Sequence, residues 1–222
     1  MNTPRIITID GPSGVGKSTL ARRLAETLGL PILDTGAMFR ILAYSLGPQA
    51  TEMTDEELTT QLSGYTFRLT GAGFSSQLLC NDRAFGDEIR TEDVALVASA
   101  LATKPAIRAF LKAAQQEIGR GTSLVTEGRD MGTVIFPQAT RKLYLDATPG
   151  VRAERRARQY EEAGLPMDRE KILRQITERD HLDTNRAEAP LKPADDAVII
   201  QTDHLDINRV FEEILRHIPA NQ

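Results

Sequence analysis

The chain has 222 residues, 41% of them hydrophobic and 26% charged, with 27 basic against 31 acidic side chains and a formal net charge of −4. This suits one globular domain with a core of ordinary size, and it argues against a general nucleic-acid binder, which needs a surplus of positive charge. No apolar run reaches membrane-spanning length or reads as a signal peptide, and the single cysteine, Cys80, cannot form an internal disulfide, so a cytoplasmic monomer without membrane association is expected.

Short apolar, β-rich runs at Arg5–Asp10, Pro31–Asp34, Ser123–Glu127, Lys142–Asp146 and Ala197–Gln201 read as strands covered on both faces. Helix-like segments lie between and after them, at Lys17–Leu28, Ala37–Ser45, Asp93–Ala102, Ala106–Ile118, Val151–Glu162, Arg169–Asp183 and Ile207–Ile218. Strands alternating with helices predict an α/β fold with a parallel sheet of about five strands. One region breaks the alternation. Tyr65–Thr70, the turn Gly71-Ala72-Gly73, Phe74–Cys80 and the polar turn Asn81-Asp82 read as a small antiparallel meander, inserted beside a second ligand site.

The first strand runs into Gly11-Pro12-Ser13-Gly14-Val15-Gly16-Lys17-Ser18-Thr19, which satisfies G-x-x-x-x-G-K-[ST]. Glycines let the backbone turn tightly and bring its N–H groups against a polyphosphate. Lys17 supplies a cation for the outer phosphates and Ser18 a hydroxyl for Mg²⁺, while the helix that begins here turns its positive dipole end to the anion. A bound nucleoside triphosphate is expected at Gly11–Thr19.

Three further motifs follow strand ends or helices. Asp34-Thr35-Gly36-Ala37-Met38-Phe39-Arg40 offers the Thr35 hydroxyl, a close-approach glycine, and Arg40 to clamp a second phosphate, or else a capped helix with Arg40 in solvent. Glu127-Gly128-Arg129-Asp130-Met131-Gly132-Thr133 puts two carboxylates and an arginine at a strand's ligand-binding end, with Glu127 a candidate Mg²⁺ partner; a local turn with an ion pair reads the same. In Glu178–Arg186, residues Arg179, Asp183 and Arg186 share one helix face, which a solvated salt bridge would also explain. The histidines lack metal-ligand spacing, Cys80 sits in an apolar run, and neither N-K-x-D nor G-x-S-x-G occurs.

Together these motifs resemble the bacterial-type cytidylate kinases, P-loop nucleoside monophosphate kinases, from Ile6 to about Ile200. D-T-G-A-M-F-R, G-R-D-M-G-T and the R-D-x-x-D-x-N-R-A-x-A-P-L run from Arg179 to Leu191 carry the resemblance. It implies one P-loop kinase domain over residues 1–222, with a monophosphate-binding insertion at about 36–105 that includes the meander and a helical lid at about 152–168. It assigns Arg40, Arg129 and Arg186 to an acceptor phosphate, Arg179 and Asp183 to its ribose, and Ser99, Arg108 and Asp130 to cytosine, with Thr35 nearby. In the basic lid helix Arg152–Arg158, Arg155, Arg156 and Arg158 are expected to close over ATP and neutralise the charge that develops on transfer. The implied reaction moves the γ-phosphoryl group of MgATP to CMP or dCMP. A UMP or dTMP kinase, or an ATP-dependent regulatory switch, remains the alternative. Phe39 stands where the family often has tyrosine, and His181-Leu182 replace a more charged pair.

Overall fold

The computed structural model describes residues 4–218. A five-stranded parallel sheet in the order β2-β6-β1-β7-β8 is formed by β1 (Ile6–Asp10), β2 (Ile32–Asp34), β6 (Leu124–Gly128), β7 (Arg141–Asp146) and β8 (Val198–Gln201). A three-stranded antiparallel sheet contains β3 (Phe67–Thr70), β4 (Gln77–Cys80) and β5 (Arg83–Ala84). The expected fold class therefore stands. Among the described residues no single helix is long and apolar enough to cross a membrane.

The described chain divides into two compact units. The first runs over Ala25–Thr126 and takes in residues 4–6. It contains α2 (Thr35–Leu46), α3 (Asp55–Leu62), α4 (Glu92–Leu101), α5 (Pro105–Arg120) and the antiparallel sheet. Its core is one apolar cluster that includes Met38, Leu42 and Leu46 of α2, Leu58 and Leu62 of α3, Leu101 of α4 and Leu111 of α5, with Phe39 packed against it. The spacing of Met38, Leu42 and Leu46 turns one face of α2 inward, as an amphipathic helix requires.

The second unit holds Ile7–Leu24 and residues 127–218. Within it β1 pairs with β7 and β7 with β8, all parallel, with Ile7, Ile9, Leu143, Leu145 and Ile200 buried. The helix α1 (Lys17–Leu28) follows the phosphate loop. Helices α6 (Pro149–Glu162) and α7 (Arg169–Asn185) pack through Ala153, Ala157, Ile172 and Ile176, and α8 (Ile207–Arg216) buries Val210, Phe211 and Ile214. A single π-helical turn, Met131–Ile135, follows β6.

Three local differences separate this architecture from the sequence reading. Helix α3 was not among the expected helices, although Thr54 and Glu57 close a capping box on it. Phe74 does not open a strand. Its amide donates to Glu26 Oε2 (2.7 Å) and that of Gly73 to Leu30 O (2.8 Å), and the two hold a short 3₁₀ turn, Gly73–Ser75. The polar turn Asn81-Asp82 is a hairpin turn with both residues at positive φ, and it feeds a third strand, β5.

Candidate active site

Gly11 leaves β1 at φ +147°, and a Cβ there would lie 2.1 Å from Leu145 O on β7. Only glycine lets the loop turn so close to the neighbouring strand. Gly16, at φ +99°, closes the loop into the first turn of α1. Lys17 and Ser18 are therefore the first two residues of that helix, whose orphan N–H groups face the loop.

Lys17 is only 5% exposed, and its Nζ donates to Pro12 O at 2.7 Å. Burial, followed by repulsion from Arg129, brings its ammonium down to about 7, with Glu127 and Asp10 acting against the fall. The hydrogen-bond partner of this amine is a neutral carbonyl, and a phosphate would supply an anionic one. The Ser18 hydroxyl donates to Glu127 Oε1 at 2.7 Å. A hydroxyl and a carboxylate joined beside a phosphate loop form a hard oxygen donor set of the kind Mg²⁺ takes, so these two residues fit the metal that the motif implies.

Asp10, the last residue of β1, is buried and accepts hydrogen bonds from the amides of Met131 (2.9 Å) and Gly132 (2.8 Å). Burial raises its carboxyl to about 6, against the two backbone hydrogen bonds. This residue starts the π-helical turn and thereby sets the direction of the chain just after Arg129 and Asp130. The sequence reading passed over Asp10. Its signal was one acidic residue ending an otherwise apolar strand.

Next to Lys17 lies a balanced set of charges. Arg129 Nε donates to Asp183 Oδ2 at 2.8 Å. Arg186 lies 3.9 Å from Asp183 and 3.8 Å from Asp130, and its Nε donates to Ala189 O. Burial would depress Arg129, but the Asp183 carboxylate more than offsets it and raises the guanidinium. Burial likewise opposes ionisation of Asp183, yet Arg129, Arg179 and Arg186 hold its carboxyl below the ordinary range. The helical spacing suggests Arg179 as the direct support of Asp183. Arg129 donates a hydrogen bond to Asp183, and the charge of Arg179 helps hold the same carboxyl down.

The basic helix α6 divides its arginines among different tasks. Arg155 donates to the Thr202 hydroxyl (3.0 Å) and to the carbonyls of Thr202 and Leu205. Arg156 hydrogen-bonds Tyr160 Oη at 3.1 Å and lies over its ring, while Arg158 is exposed. Arg152, on the same basic helix, is buried. It binds Ser13 O, Ala147 O and the carboxylate of Asp180.

In the other unit, Asp34 caps α2 by accepting from the amide of Ala37 (2.8 Å), and its second oxygen accepts from Arg40 Nη2 at 3.1 Å. Arg40 thus folds back over the cap, and Gly36 leaves room for it, since a Cβ there would meet Arg40 Nη1 at 2.9 Å. Thr35 is buried at the first position of α2. Half-buried Ser99 and Arg108 stand on the consecutive helices α4 and α5.

A parallel α/β sheet whose first strand ends in this loop defines a P-loop nucleotide-binding protein. The family model for cytidylate kinase matches residues 7–220. A cytidylate kinase of Oleidesulfovibrio alaskensis is 53% identical over 210 residues, covering 95% of this chain and 96% of that one. Those of Nitratidesulfovibrio vulgaris (51% over 214 residues; 96% and 92%) and Lawsonia intracellularis (46% over 218 residues; 98% and 97%) are similar as well. The chain belongs to the cytidylate kinase family.

Proposed function

We propose that this protein transfers the γ-phosphoryl group of ATP to CMP or dCMP, giving ADP and CDP or dCDP. The observation that carries this reading is a second group of cations, Arg129, Arg179 and Arg186, whose charges act on the phosphate-loop lysine or on Asp183 beside it. A protein that only bound ATP would have no use for it.

The phosphate loop and Lys17 hold the donor, and Lys17 exchanges the Pro12 carbonyl for phosphate oxygens. Ser18 and Glu127 would hold Mg²⁺, which when bound supplies charge neutralisation on the donor phosphates. Arg129 and Arg186 bind the acceptor phosphate, and Asp183 and Arg179 its sugar hydroxyls. Asp130 accepts from the cytosine amine. Thr35 and Arg40 are proposed as further acceptor ligands on their motif and the resemblance, and Ser99 and Arg108 on the resemblance alone. Arg155, Arg156 and Arg158 are proposed to neutralise the donor from α6.

One oxygen of the acceptor phosphate forms a bond to the γ-phosphorus as the bond to the ADP oxygen breaks, and ADP leaves with that electron pair. The attacking oxygen is already anionic near neutral pH, so the site needs no strong general base. Positioning and electrostatic stabilisation carry the acceleration. We propose a cytoplasmic monomer, on the composition of a chain whose single cysteine is buried.

Coupled measurement of ADP release from ATP tests the proposal. CMP should raise the rate by several orders of magnitude over ATP alone. Calorimetric binding of ATP with no heat from CMP, and no CMP-dependent release, would make the protein a nucleotide switch.

A further inference from the structure

Arg152 is 2% exposed, and each of its three guanidinium nitrogens donates a hydrogen bond. Nε donates to Ala147 O (2.9 Å) just beyond β7, and Nη1 to Ser13 O (2.9 Å) in the phosphate loop. Nη1 and Nη2 also grip both carboxylate oxygens of Asp180, Nη1 at 3.0 Å. This is the fork-to-fork arrangement that fixes geometry as well as charge. The loop lies close against the same side chain, since a Cβ on Gly14 would come 3.4 Å from Arg152 Cβ. Asp180 is on α7, three residues before Asp183, so the two carboxylates share a helix face. Asp183 in turn holds Arg129.

Stability alone gives little reason for such a pair. Replacing a buried ion pair by apolar side chains of similar size is often neutral or stabilising, because desolvation cancels most of the attraction. A pair that is fully buried on its arginine side, and directional at three chain segments, serves position better than it serves stability.

We propose that Arg152 and Asp180 are a positioning pair that ties the phosphate loop to helix α7, so that occupation of the donor loop tightens binding of the acceptor and the reverse. This rests on the phosphoryl-transfer reading above and adds the route by which the two substrates sense each other. A phosphate-filled loop fixes Ser13. The guanidinium passes that constraint to Asp180, and α7, as a rigid element, passes it to Asp183 and Arg129. Coupling between two sites is reciprocal, so ATP must favour CMP by the same factor as CMP favours ATP.

The test is calorimetric titration of the full chain with CMP, alone and with a saturating non-hydrolysable ATP analogue (an imido bridge between the β and γ phosphorus atoms), and then the converse. The unmodified protein should bind CMP about tenfold more tightly when the analogue is present, within the range usual for coupled sites. Arg152→Lys keeps the charge but loses the fork, and should bring that factor to about twofold or less while either ligand alone binds within about threefold of normal. Asp180→Asn, at a side chain 20% exposed and therefore safer for folding, should do the same, and the double variant should lose no more than either single one. Full coupling in both single variants overturns the inference, as does a parallel loss of both separate affinities, which would mark a purely structural pair. An unmodified protein that binds both ligands without coupling overturns it too. If the unmodified protein binds no CMP at all, the acceptor reading itself falls, and this inference with it.

Discussion

Arg129 Nε and Asp183 Oδ2 meet at 2.8 Å across 54 positions of sequence, joining the residue after β6 to the last turns of α7. Each side chain is held by the other, and on the proposed function the pair sets where the ligands of the acceptor's phosphate and sugar stand. Asp183→Asn keeps the shape of the side chain and removes the charge that Arg129 faces. It should raise the Michaelis constant for the acceptor at least tenfold, leave that for ATP within about threefold, and cost about 2 kcal/mol of stability at pH 7. The depressed carboxyl of Asp183 contributes stability that is present above the ordinary carboxylate range and lost as pH falls through its lowered value. Denaturant titration should therefore show the deficit of the variant shrinking toward pH 2. Equal damage to both Michaelis constants would mark a structural ion pair only.

Lys17 is placed for function at the expense of stability. Its ammonium is desolvated and stands near Arg129, with a carbonyl as its hydrogen-bond partner. Lys17→Met should slow transfer at least about a hundredfold, a loss of about 3 kcal/mol or more in transition-state stabilisation. The same variant should be as stable as the unmodified protein at pH 7 or more so, by about 1 kcal/mol, because a charge poorly served by burial has gone. Thermal unfolding checks the second half, and a large fall in melting temperature would contradict it.

Asp10 yields a pH signature. Its carboxyl stands at about 6 against an ordinary 3.8, so between those values the folded protein holds a proton that the unfolded chain has released. The cost of ionising it is absent below about pH 4, grows as pH rises, and is complete above about pH 6. In Asp10→Asn that dependence disappears. The stability difference between the two proteins should shift by about 2 kcal/mol in favour of the variant from pH 4 to pH 7. The variant should nonetheless lose activity, since an amide oxygen replaces a carboxylate that held two N–H groups. A difference independent of pH would remove the burial account of Asp10.

The parts legible in sequence were those whose causes are local. The phosphate loop is written in consecutive residues, and the strands and most helices follow from apolar periodicity, with α1 matching to the residue. Helix α3 was legible as well, through Thr54 and Glu57, but its short polar run of Asp55-Glu56-Glu57 masks the periodicity of Leu58 and Leu62. What stayed hidden was set at long range. The turn at Gly73–Ser75 depends on Glu26 and Leu30, and the π-helical turn on Asp10. Arg179 is the obvious helical neighbour of Asp183, and only the folded chain shows that Arg129 donates a hydrogen bond to it. Four arginines within Arg152–Arg158 look alike in sequence, and burial separates Arg152 from the rest.

Whether the acceptor is a cytidine monophosphate is read from the ratio of kcat/KM for CMP to that for UMP. Cytosine offers an amine where uracil has a carbonyl. A carboxylate such as Asp130, buried and within 3.8 Å of Arg186, can accept from the first and is left facing an oxygen by the second. Sites that read hydrogen bonds in this way discriminate by factors of about 10⁴. The ratio should be at least about 10³ in the unmodified protein, and smaller in Asp130→Asn chiefly through loss of CMP activity. A ratio near one would contradict the cytosine assignment and leave only a monophosphate kinase of broad base choice.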